Sequence, residues 1–126
     1  MATNQTLDIS LILKTAYPFS GIFGLNNTTT DGLVFDNTSV ESKTVSVATS
    51  TPTVIVASTI STITYVYVKN TDDTNIVVLK TDAAVAYSDL SPGEFAFLPI
   101  KGSVGIEAIA AGGACVIEYA TFKKFV

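Results

Sequence analysis

No long stretch of this chain repeats its apolar residues at the helical period. Short runs rich in Val, Ile, Thr, Tyr and Phe recur instead, and such residues suit a pleated, half-buried surface. The pattern predicts strands at Leu7–Lys14, Thr44–Thr49, Val54–Ala57, Tyr65–Lys69, Ile76–Lys80, Glu94–Leu98, Val104–Ala110 and Cys115–Phe122. Turn-forming clusters separate them at Thr51-Pro52, Asn70–Asn75, Ser91-Pro92-Gly93, Lys101-Gly102 and Gly112-Gly113. Many short strands with regular turns predict an all-β chain: a single-domain antiparallel β-sandwich or jelly roll spanning residues 1–126. Tyr65 and Tyr67 alternate with Val66 and Val68. Both faces of that strand are therefore apolar, as in a central strand covered on two sides.

One region breaks the pattern. Residues 17–42 read as a long loop or arm, with one short strand at Leu33–Phe35. The polar run Asn26–Asp31 and the Asp36-Asn37-Thr38 cluster are turn formers, and loops of this length generally have a task. Tyr17–Leu25 is apolar, aromatic and Gly-rich. It is either a loop tucked over the end of the sheet or an arm inserted into a neighbour. Phe19, Ile22, Phe23 and Leu25 are therefore candidate assembly contacts. Phe122, Phe125 and Val126 at the other end join them, packing on this subunit or on its neighbour.

Composition turns a fold prediction into a functional one. At 126 residues the chain suits one domain and can bury roughly two-thirds of its unfolded surface. Its one cysteine, Cys115, cannot form an internal disulfide and reads as a small buried hydrophobe. Charged residues make up only 14% of the chain and hydrophobic ones 48%, with a mean hydropathy of +0.46; soluble domains carry about 25% charge. Yet no apolar run approaches the ~18 residues of a membrane span, and Met1–Asp8 does not resemble a signal peptide, so no membrane association is expected. So apolar a surface points to an obligate assembly, whose interfaces resemble a core cut in half. The net charge of −4, with seven lysines and no arginine, argues against nucleic acid.

The same inventory excludes much chemistry. Without histidine there is no Ser-His-Asp or Cys-His catalysis and no usual zinc site, and no phosphate-binding glycine motif is present. The expectation is a protein that is not an enzyme and has no cofactor. Two carboxylate arrangements merit a check. Asp72-Asp73 sits in an oxygen-rich turn that could hold calcium, although Asn, Asp and Thr are ordinary turn residues. Gly112-Gly113 is a hairpin signal. A two-residue hairpin there would set Ala108 opposite Ile117, Ile106 opposite Tyr119, and Glu107 opposite Glu118. Facing carboxylates match the spacing of a retaining glycosidase, but like charges so placed repel. The ordinary expectation is that they splay into solvent or find a lysine. Tyr65 and Tyr67 could platform a sugar; core packing is the simpler role.

Two segments carry a family resemblance. Thr64–Val78, with its Lys69-Asn70-Thr71-Asp72-Asp73-Thr74-Asn75 turn, resembles a strand–turn–strand hairpin of small tailed-phage virion proteins. Leu90-Ser91-Pro92-Gly93-Glu94 resembles their turn before a further strand, and Cys115–Tyr119 is similar to their last strand. The likeness covers about half of the chain, Thr64 to Phe122. It implies a β-sandwich or jelly-roll virion subunit: a capsid decoration (cement) protein bridging neighbouring capsid subunits, or a tail or fibre module that binds the host surface. A free-standing carbohydrate-binding domain is a third class. The implied partners are the major capsid protein or other virion proteins, with a homotrimer favoured. The implied location is the phage particle, assembled in the host cytoplasm.

Overall fold

The computed structural model describes residues 4–14, 26–36, 38 and 40–125. Among the described residues ten strands form: β1 (Asn4–Lys14), β2 (Asn26–Asp36), β3 (Glu41–Val47), β4 (Thr53–Val56), β5 (Thr64–Asn70), β6 (Ile76–Lys80), β7 (Ala86–Leu90), β8 (Phe95–Ile100), β9 (Ile106–Ala111) and β10 (Cys115–Lys123). No helix occurs among the described residues. Strands β3 to β10 build two four-stranded antiparallel sheets, ordered β3-β10-β5-β8 and β4-β9-β6-β7. This is the strand order of a jelly roll, in which the chain crosses repeatedly between two packed sheets. The expected all-β sandwich is therefore present.

The core lies between the sheets. Alternate residues of each strand meet there, including Val66 and Val68 from β5, Val77 and Leu79 from β6, Ile106 and Ala108 from β9, and Cys115 and Ile117 from β10. Cys115 is a free thiol buried in this cluster. Burial raises its pKa, helped by the Asp72 charge, which leaves the thiol protonated and poorly reactive.

Three expectations about local structure need correction. First, within 17–42 the strand is not confined to Leu33–Phe35. Residues 26–36 are strand, paired with β1 in unbroken register from Asn4↔Asp36 to Lys14↔Asn26, and β3 begins at Glu41. The Asn/Thr run lacks strand signals of its own, and the apolar, β-branched β1 supplies the template. Second, β7 has almost no buried side chains, so its sequence shows no alternation; pairing with β6 makes it a strand. Third, Gly112-Gly113 does not close a hairpin, because β9 and β10 lie in different sheets. Gly112 has φ +93°, a left-handed conformation natural to glycine, and it turns the chain across the sandwich. The Asn70–Asn75 turn is likewise an arch between sheets, β5 lying in one and β6 in the other.

The β1–β2 hairpin forms a separate two-stranded sheet over the outer face of β3-β10-β5-β8. The Phe35 ring stands edge-on to Phe122, centroids 5.1 Å apart at 71°. Phe35 bridges to Lys124, and the Phe125 N–H donates to the Val34 carbonyl at 3.2 Å. Strand β5 is thus covered on both faces, with Val66 and Val68 in the core and Tyr65 buried on the outside, as its two apolar faces predict.

Candidate functional site

The outer face of β3-β10-β5-β8 is unusually aromatic for a surface that no second sheet fully covers. Register places Tyr65 opposite Pro99 and Phe122, Tyr67 opposite Phe97 and Ala120, and Lys69 opposite Phe95 and Glu118. Partners opposite each other share a face, so these side chains form one layer. Above part of it runs β1, and between them lies a groove of about 450 Å³. Leu7, Ile9 and Leu11 form one wall; Tyr67, Phe95, Phe97 and Phe122 form the other. The groove is open enough that Leu11 keeps 40% and Phe95 54% of its surface exposed. The rings of Tyr67 and Phe95 lie 6.3 Å apart at 39°.

A polar contact edges this layer. The Tyr67 hydroxyl donates to Glu118 Oε1 at 3.2 Å. Burial chiefly, and then this bond to a carboxylate, push the phenol's pKa above its ordinary value, so Tyr67 is a neutral donor near pH 7. The wall chemistry is otherwise that of a ligand cleft: mostly apolar, with few polar groups and a volume within the usual ~300–1,000 Å³.

Of the sequence-predicted contacts, Phe122 lines this groove and Phe125 anchors the hairpin through its backbone. Phe19, Ile22, Phe23, Leu25 and Val126 lie outside the described residues. Residues Asn26–Asp31, expected to be loop, belong to β2. Sequence reasoning missed Leu7, Ile9, Leu11, Phe95 and Phe97. The available signal was the one that marked β5: in β8, Phe95 and Phe97 alternate with Ala96 and Leu98, so both faces are apolar.

The paired carboxylates do not meet. Glu107 and Glu118 lie in separate sheets, which removes the geometry a retaining glycosidase would need. Glu107 is only 9% exposed and faces Lys80 across β6–β9, with Nζ 3.9 Å from Oε1. Glu118 stands opposite Lys69 and takes the Tyr67 bond. A lysine therefore accompanies each, from this same chain. Asp72 accepts from the backbone N–H groups of Thr74 and Asn75, and Asp73 from the Thr74 hydroxyl. These carboxylates shape the turn. No cluster of three or more potential metal-ligating side chains occurs among the described residues.

The fold and groove together define a jelly roll carrying an appended hairpin. The chain matches no protein-family model, no curated protein and no solved structure.

Proposed function

We propose that this protein is a structural virion subunit, a capsid decoration protein that stabilises a phage head by bridging neighbouring capsid subunits. The observation that carries the reading is the hairpin. A two-stranded ribbon is marginal alone in water, yet β1–β2 runs for 11 residues in each strand and leaves its apolar groove open beside Leu11 and Phe95. Ile12, further along β1, is 62% exposed. Apolar surface left open in this way marks contact sites. Low charge, a jelly roll, and the likeness of Thr64–Phe122 to tailed-phage virion proteins support the same reading. The fold alone would suit a lectin equally well.

Quantitative mass spectrometry of purified particles tests the proposal. A decoration protein is found in hundreds of copies per particle and leaves the head when capsids are stressed. A copy number of a few to a few dozen would move the chain to the tail or fibre. A monodisperse monomer that is absent from particles and binds a glycan array would replace the virion reading with a sugar-binding one.

A further inference from the structure

The groove has a direction. From the hairpin, β1 alone lines it among the described residues, and it does so with five consecutive residues, Leu7 to Leu11. A cleft under a strand's face would meet alternate residues; consecutive ones mean that the cleft follows the strand's edge. That edge has no ladder partner among the described strands, since β1 pairs only with β2. Across the groove stand Phe95 and Phe97 of β8, which among the described strands is itself the last of its sheet and pairs only with β5. The groove therefore combines unpaired main-chain groups on one side with an aromatic floor on the other.

We infer that this groove accepts an extended segment donated by a subunit of a different protein, which pairs with β1 as a third strand and points alternate apolar side chains onto Phe95 and Phe97. Strand addition of this kind draws affinity from main-chain hydrogen bonds and specificity from pockets for every second side chain. A hydrocarbon chain would fill the apolar space and leave the edge of β1 unused. Charge sets the intervening positions. Among the described residues, Asp8 is the one charged residue lining the groove. Lysine or arginine at the outward position beside Asp8 complements it, and an acidic residue there is repelled.

The inference rests on the assembly reading above and supplies its contact. The probe is a capped hexapeptide alternating lysine and valine, titrated into the full chain and followed by NMR. Saturable shifts at Leu7–Leu11 and Phe95 are expected. Phe95→Ser, a change at an exposed edge position, should weaken binding about tenfold. So should N-methylation of the peptide on one of its two edges, which leaves the protein untouched. Equal binding by both singly N-methylated peptides, or by a glutamate–valine peptide, would overturn the inference. Oligomers of the chain alone that dissociate on Phe95→Ser would also overturn it, by giving the groove to a second copy. Particle copy number decides the virion reading separately. Copies on the head without peptide binding would remove only the groove's role, and peptide binding by a chain absent from particles would remove only the virion role.

Discussion

Asn70 is the polar tie between the two sheets, and its removal has a calculable cost. The side chain is fully buried. Its Nδ2 donates to the carbonyls of Asn75 and Leu90, both at 2.9 Å, and its Oδ1 accepts from the Asp72 N–H at 3.0 Å. Its backbone N–H and carbonyl meet Glu94 and Gly93. One residue thus joins the end of β5 to the arch before β6, the end of β7 and the start of β8. Each side-chain bond contributes about 1 kcal/mol net, and a stranded buried partner costs about 1–3 kcal/mol. Asn70→Ala should therefore destabilise by about 3–4 kcal/mol, a large part of the ~5–15 kcal/mol that holds a domain together. Asn70→Asp is the sharper probe, because it keeps the shape and turns the amide donor into an acceptor facing two carbonyls. Burial and those carbonyls raise its folded-state pKa above the ordinary ~3.9. The deficit is then smallest below that value, where a protonated acid can donate one bond, and grows as pH rises through the folded pKa. Urea denaturation followed by circular dichroism across acid and neutral pH measures both terms. An Asn70→Asp protein within about 0.5 kcal/mol of the parent at neutral pH, or a deficit that does not change with pH, would refute this account.

Lys80→Met should cost about 3 kcal/mol, because it leaves the buried Glu107 carboxylate without its partner. The double change Lys80→Met with Glu107→Met should recover most of that loss in the same denaturation assay. Ala84 holds φ +63° in the β6–β7 turn, where a Cβ is unfavourable, so Ala84→Gly should raise stability by up to about 1 kcal/mol; a clear loss would show that the turn is held otherwise. The phenol of Tyr119 is raised by burial first and then by its 3.0 Å bond to Glu41. Its stabilising share is intact below the ordinary value near 10 and is lost as pH climbs through the folded value. Ultraviolet titration should accordingly find tyrosines that ionise later in the folded chain than in urea. Glu41 shifts oppositely, held low by Lys43 first and then by Tyr119. Its contribution is present above the ordinary carboxylate range and fades as pH falls through the folded value. Because the ion pair is exposed, Glu41→Gln should cost less than about 1 kcal/mol.

The period-two pattern determined the strands whose own side chains fill the core. Val66 and Val68 on β5, Val77 and Leu79 on β6, and Ile106, Ala108 and Ala110 on β9 could be assigned to a buried face from sequence because their burial is what creates the alternation. The apolar outer face of β5 was equally legible, since Tyr65 and Tyr67 are local facts. What the sequence left open is which strand lies beside which. A tight turn at Gly112-Gly113 and an arch across the sandwich bury the same residues of β9 and β10, side by side in one case and face to face in the other. Only the tertiary structure chose the arch, and with it separated Glu107 from Glu118. Strand β7, and all of β2 except the short stretch Leu33–Phe35, were invisible for the complementary reason. They bury little of their own, and they exist because β1 and β6 offer them backbone partners. The groove has the same origin. Leu7, Ile9 and Leu11 stand far along the chain from Phe95 and Phe97, and no local pattern announces that a hairpin folds over β5. The absence of histidine and arginine and the scarcity of charge belong to the sequence alone. Where the remaining apolar surface gathers was decided by packing.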